Sequence, residues 1–103
     1  MPTKIKPSYA QVKKCIEDWF QEHAHMPLEK DAHFMTMEAW KDRGEDYGGD
    51  NAILVMTFDG SSVYDYVNMH NGYQAHDDLL EKLGKLGCFF ELMHSWSFAV
   101  YPN

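Results

Sequence analysis

The chain has 103 residues, of which 45% are hydrophobic and 24% are charged. This length fits a single domain over residues 1–103, and the composition excludes intrinsic disorder. No apolar run approaches the ~20 residues needed to cross a bilayer, and the first fourteen residues lack the apolar stretch of a signal peptide. We therefore expect a cytoplasmic protein. Cys15 and Cys88 are too few for a disulfide framework or a complete zinc site, and we expect both to be reduced.

The charge balance narrows the choice of partners. Nine Lys and Arg against sixteen Asp and Glu give a formal charge of −7. Since four lysines and no acid precede Cys15, removing those lysines from the total leaves −11 for residues 15–103. A field of this sign repels phosphate backbones and anionic lipid, so we expect no nucleic-acid partner and no membrane partner.

The first predicted element is an amphipathic helix that follows Pro7. Ser8 is a suitable N-cap, and Pro27 stops the helix near residues 23–25. The apolar side chains recur at the spacing of one buried stripe: Val12, Cys15, Ile16, Trp19 and Phe20. This helix has the clearest pattern in the chain.

Residues 26–51 give weaker signals. The segment 33–37 is compatible with a short strand, but 36–41 fits a capped helical turn better, so we predict a short helix that ends before Gly44. The segment 43–51 contains three glycines and three acids, which is typical of a surface loop within one domain.

Two strands joined by a hairpin are predicted next. Residues 52–58 are apolar on both faces, as in an interior strand, and the segment 59–62 supplies a four-residue turn. Residues 63–69 alternate. One side of this second strand carries Val63, Asp65, Val67 and Met69, and the other carries Tyr64, Tyr66 and Asn68.

A helix over 73–85 follows the Asn71-Gly72 break, and a strand ends the chain. Phe90, Leu92, Trp96, Phe98 and Val100 share one parity, which predicts a single register across eleven residues. Because no Gly or Pro marks a tight turn, we favour one long bent strand over a hairpin near His94 and Ser95. The order α-α-β-β-α-β predicts an α+β fold. We expect a two-layer sandwich in which an antiparallel sheet of three to four strands carries two to three helices on one face.

His94 and Asp65 form the predicted site. In the single register, the His94 imidazole shares the apolar side of the last strand with Trp96, and Asp65 interrupts the apolar side of the second strand in the same way. A facing Asp–His pair in a cleft can anchor a ligand or act as an acid/base pair. A core histidine satisfied by a backbone hydrogen bond is the simpler alternative.

Six histidines also raise the question of metal binding. His23, His25 and His33 lie near the end of the first helix, where Glu22 or Glu29 could add a carboxylate, but the H-E-x-x-H spacing is absent. These are weak candidate ligands, and three exposed histidines are the alternative interpretation. A second pairing of imidazole and carboxylate involves residues 70 and 76–78.

Tyrosines on the polar side of the strands predict a protein interface. Tyr64, Tyr66 and Tyr101, joined by Met93, form an amphipathic patch of residue types that interfaces favour. A small sheet also leaves its edges open for pairing into a symmetric dimer.

The sequence carries no enzyme-family motif and no cofactor fingerprint, and we expect no cofactor. We predict a small acidic ligand- or protein-binding module that acts as a homodimer, with His94, Trp96, Asp65, Tyr64 and Tyr66 as binding residues. A small enzyme using the Asp65/His94 pair is the alternative. A histidine-based metal-binding protein is the second alternative.

Overall fold

The computed structural model describes residues 6–45, 49, 51–69 and 72–103. Its elements are α1 (Tyr9–Ala24), β1 (His33–Met35), α2 (Met37–Asp42), β2 (Leu54–Thr57), α3 (Val63–Val67), α4 (Gln74–Leu86), β3 (Cys88–His94) and β4 (Ser97–Pro102). The predicted α+β class is confirmed. Lys4, His70, Asn71 and residues 46–48 and 50 of the predicted surface loop lie outside the described residues.

The two long helices begin and end within about one residue of their predicted bounds. The Ser8 hydroxyl accepts a hydrogen bond from the Gln11 amide at 3.1 Å, and the Gln11 side chain accepts one from the Ser8 amide at 2.8 Å, which completes a capping box. The buried residues of α1 are Val12, Ile16, Trp19 and Phe20, four of the five predicted, and Cys15 is partly exposed. Helix α4 ends at Gly87, whose φ of 92° is accessible to glycine without a steric cost.

The sheet is fully antiparallel in the order β1-β2-β4-β3. Both interpretations of the segment after residue 32 are correct in part, because β1 is followed directly by α2. The Thr36 hydroxyl accepts from the Ala39 amide at 3.1 Å and caps that helix. All four residues of β2 are buried, as expected of an interior strand.

Each face of the sheet carries its own hydrophobic core. The first face is covered by α1, α3 and α4, so three helices lie on one side of the sheet as the two-layer prediction requires. Its largest fully buried side chains are Trp19, Phe20, Phe58, Phe98, Ile16, Leu54, Met56, Leu79 and Leu83. The second face is covered by α2, whose Trp40 packs with Met37, Ala52, Val55, Met93, Ala99 and Tyr101.

Residues 63–67 form helix α3, so the strand predicted over 63–69 and the hairpin before it are wrong. The helix is stabilised by a residue that is distant in the sequence. A Glu29 carboxylate oxygen accepts from the Ser62 amide at 2.6 Å and from the Ser61 hydroxyl at 3.0 Å. An anion at this position satisfies the Ser62 amide at the helix start, and it overrides the strand propensity of the Val and Tyr residues.

The C-terminal segment is a hairpin and not one long strand. The chain reverses at Ser95 and Trp96, and the Asn68 side-chain amide donates to the Ser95 carbonyl at 2.7 Å. This contact from α3 stabilises a turn that contains neither Gly nor Pro. The register of β3 against β4 also shifts between Leu92 and His94, which indicates a β-bulge. The order of elements is therefore α-β-α-β-α-α-β-β.

Candidate functional site

His94 lies on the second face of the sheet, and the prediction that it shares a side with Phe90 and Phe98 is wrong. The bulge after Leu92 adds one residue and turns the imidazole to the other face. Its Nδ1 lies 2.8 Å from the Ser97 hydroxyl, and its ring stacks on Trp96 with centroids 4.5 Å apart and planes 6° apart. The Trp40 ring lies 6.2 Å from it.

Asp65, Tyr64 and Tyr66 lie on α3, on the first face. The Tyr66 ring meets Phe20 edge to face at 5.8 Å, and Tyr64 packs against the same core. An Asp–His pair formed by two facing strands is therefore wrong in its geometry, because Asp65 is not on a strand. The ligand-binding role of these residues, and of His94 and Trp96, stays a prediction.

The predicted tyrosine patch is also divided between the two faces. Tyr101 and Met93 are buried in the second core, and the Tyr101 hydroxyl accepts from the Gly49 amide at 3.0 Å. Since Tyr64 and Tyr66 pack on the first core, the four side chains share no surface. The open-edge argument for an interface does not depend on these residues.

Two cavities of the described part of the chain lie away from His94. One, of about 450 Å³, lies between α1 and α4 and is lined by Cys15, Glu22, Lys82, Gln11, Lys14, Asp18, Lys85 and Leu86. The other, of about 370 Å³, lies beside the C-terminal residues Pro102 and Asn103. An acid/base enzyme would need a cavity of roughly 300 Å³ or more at its imidazole.

Of the three predicted metal ligands, only His23 joins other ligand atoms. His25 is exposed and forms the left-handed C-cap of α1 with φ 60°, and His33 is exposed on β1. The His23 Nε2 lies 2.7 Å from an Asp78 carboxylate oxygen. Among the described His, Cys, Asp and Glu residues, the close group of ligand atoms belongs to Glu22, His23 and Asp78.

Strand β3 forms one edge of the sheet, and its outward-facing backbone groups can be identified. The Ile53 amide donates to the Val100 carbonyl at 2.7 Å, so the backbone groups of Val100 point toward β2. Backbone groups alternate between the two sides of an antiparallel strand, so Ala99 must point toward β3 and pair with Glu91. The amides and carbonyls of Phe90 and Leu92 therefore face away from the sheet.

One exposed apolar side chain lies on this edge, and two others lie close in sequence to Asn68 and His76, which contact the β3–β4 hairpin. Leu92 is 37% exposed, Met69 47% and Tyr73 61%, and they are three of the four exposed large hydrophobic residues in the described part of the chain. Asn68 contacts Ser95 beyond the end of β3, and His76 packs on Phe90 with centroids 5.1 Å apart. Asn68 and His76 therefore contact the β3–β4 hairpin on either side of Leu92 along the strand. We call the exposed side chains of Met69, Tyr73 and Leu92 the β3-edge patch.

Neither cysteine is an activated nucleophile. Burial raises the pKa of the Cys88 thiol to about 11, and burial also raises the pKa of Cys15. A raised thiol pKa lowers the thiolate fraction, which is the reactive form. Both thiols are free, as the sequence predicts.

Comparisons with known proteins give no match. The chain matches no protein-family model, and no curated protein or solved structure is similar to it. In the part of the chain that the structure describes, no helix is both long and apolar enough to cross a membrane.

Proposed function

We propose that this chain is a protein-binding module that forms a homodimer by antiparallel pairing of β3 with β3 of a second copy. The observation that carries the proposal is the β3 edge itself, where the outward backbone groups of Phe90 and Leu92 accompany the exposed Leu92 side chain of the β3-edge patch. Edge pairing satisfies such backbone groups, and burying apolar side chains supplies the larger part of the free energy.

A second copy of the chain fits this edge better than a different partner that binds through charge complementarity. Met69, Tyr73 and Leu92 are uncharged, and a twofold axis brings the patch against itself, so the patch adds no charge to the contact. A register centred on Glu91 would place two carboxylates directly opposite each other, which is destabilising. We therefore place the axis at Leu92, so that Leu92 pairs with Leu92 of the second copy.

The architecture also favours a closed dimer over open-ended association. The opposite edge of the sheet, β1, has only three residues, and the bulge after Leu92 limits how far pairing at β3 can extend. A stable interface buries about 800 Å² per partner, which is roughly an eighth of the 6044 Å² of accessible surface. Pairing of β3 must therefore be combined with burial of the patch.

The test is the mass in solution of the full chain and two variants at Leu92, measured by sedimentation over about a hundredfold range of concentration. Leu92→Lys places a charge in the patch. Leu92→Pro removes only an amide that β4 does not use, and it blocks the outer edge. Both variants should be folded by circular dichroism and should remain monomeric where the unmodified chain is dimeric.

Met26→Lys is the matched control, because Met26 is 38% exposed and is the fourth exposed large hydrophobic side chain of the described residues, outside the patch. This variant should dimerise as the unmodified chain does. A monomeric unmodified chain at every concentration would contradict the proposal. Dimerisation of Leu92→Lys with unchanged affinity would contradict it equally.

A further inference from the structure

A second site, independent of the β3 edge, lies where the end of α1 meets the start of α4. One ligand atom each from Glu22, His23 and Asp78 lies within 4.8 Å of the others. The Asp78 carboxylate uses one oxygen to contact the His23 imidazole at 2.7 Å and the other to contact the Lys82 ammonium at 3.6 Å. Two helices therefore bring an imidazole and two carboxylates to one point.

A positively charged side chain of the protein, Lys82, already lies at this point. The Lys82 ammonium lies 3.6 Å from both the Glu22 and the Asp78 carboxylates. Partial burial works against the charged form, yet the two carboxylates raise the pKa of Lys82. Two carboxylates and one ammonium leave a net negative charge, so a divalent ion would be better matched to the site than a single ammonium.

The Lys82 ammonium can also move away from the Glu22 and Asp78 carboxylates. Both Lys82 and Glu22 line the cavity of about 450 Å³ between α1 and α4. A lysine side chain is a flexible stem of four carbons, so it can place its ammonium in that cavity without a change in the backbone. The side chains of His23 and Asp78 are 24% and 28% exposed, so water can reach the remaining coordination positions of an ion.

We propose that Glu22, His23 and Asp78 bind a divalent transition-metal ion in place of the Lys82 ammonium. Imidazole with carboxylate oxygens suits Zn²⁺, whereas Ca²⁺ and Mg²⁺ prefer oxygen ligands alone. Three protein ligands leave at least one position for water, so the site resembles an open zinc centre in its ligand number. Zn²⁺ competes with the proton and with Lys82 for the same atoms, so its binding should weaken at acidic pH.

The test uses the untagged full chain and Zn²⁺ as the probe, with bound metal measured by equilibrium dialysis and elemental analysis. One Zn²⁺ per chain is expected. His23→Gln and Asp78→Asn should each weaken binding at least tenfold, and Lys82→Met should strengthen it, because the competing cation is removed. A purely structural role of Lys82 would not produce tighter binding.

Three controls separate this site from other metal-binding groups. His25→Asn keeps a residue that tolerates the left-handed C-cap, His33→Gln removes the exposed imidazole of β1, and Cys15→Ser removes the nearby thiol. All three should bind Zn²⁺ as the unmodified chain does. Failure to bind stoichiometric Zn²⁺, or equal loss in His33→Gln and Asp78→Asn, would overturn the proposal. The mass in solution of each variant reports separately on the β3 edge.

Discussion

The two faces of the sheet are built in very different ways. The first is covered by α1 with 16 residues, α4 with 13 and the short α3, whereas the second is covered by α2 with six. Many large side chains share the first core, but the second depends on Trp40, which is fully buried and contacts both His94 and Trp96. Stability should therefore be distributed over several helices on one face and concentrated in one residue on the other.

Removal of Trp40 should have the largest effect. Trp40→Ala should lower the free energy of unfolding by about 3–5 kcal/mol, because α2 then loses the side chain that docks it. The measurement is urea denaturation, with hydrogen exchange of the α2 amides as the local readout. Leu79→Ala on α4 is the counterpart on the first face, at about 2–5 kcal/mol. A loss below about 1 kcal/mol in Trp40→Ala would show that the second core does not depend on this residue.

Loss of the charge on Glu29 should have an intermediate effect. Glu29→Gln should cost about 1–2 kcal/mol, because the carboxylate accepts hydrogen bonds at the start of α3. The hydrogen bond from the Ser62 amide is the main cause that lowers the pKa of Glu29 in the folded protein. The contribution of the Glu29 carboxylate to stability is therefore complete above its ordinary pKa of about 4.3. It is lost as the pH falls through the lower pKa of the folded state.

The pH dependence of the same variant separates charge from packing. Denaturation of both proteins from pH 7 downward should show their difference in stability shrinking below about pH 4. A difference that stays constant over this range would mean that the Gln side chain disturbs packing and that the carboxylate charge is not responsible.

Removal of the N-cap of α1 or of α2 should have a smaller effect on stability, and it compares the two faces of the sheet. Ser8→Ala should destabilise α1 by about 1 kcal/mol, and Thr36→Ala should cost a similar amount at α2. Because α2 is only six residues long, Thr36→Ala should increase amide exchange throughout that helix, whereas Ser8→Ala should affect only the first turn of α1. An increase in amide exchange along the whole of both helices would contradict the proposed difference in stability between the two faces.

Thiol labelling should distinguish the cysteines without changing stability. Cys88 is fully buried, donates to the Leu83 carbonyl at 3.4 Å and has a pKa raised to about 11, so it should react only after unfolding. Cys15 is partly exposed and should react slowly in the folded protein. Mass spectrometry after timed alkylation checks both expectations. Early labelling of Cys88 would indicate opening of the core between α4 and β3.

Long amphipathic patterns were predicted correctly because their information is local. The stripe and cap of α1, the leucines of α4 and the apolar run of β2 each determine their own element. Helix α3 and the final hairpin were predicted wrongly because distant residues decide them, namely Glu29 at the start of α3 and Asn68 at the Ser95 turn. Neither contact leaves a periodic signal.

The candidate site depended on the same kind of non-local detail. One bulge after Leu92 reverses the face of His94, and a one-residue change in register cannot be seen in the alternation of apolar residues. The open-edge prediction needed only the number and size of the elements. Glu22 and His23 were noted in the sequence as neighbouring ligand types, but their partner Asp78 comes from α4 and required the packing of the two helices.

Hydrogen exchange of the Leu92 amide tests the proposed homodimer most directly. At low protein concentration this amide points away from the sheet and should exchange fast, while the Glu91 amide, paired with Ala99, is protected. At high concentration both amides should be protected, because Leu92 pairs with Leu92 of a second copy. Fast exchange at Leu92 at every concentration would contradict the proposed dimer.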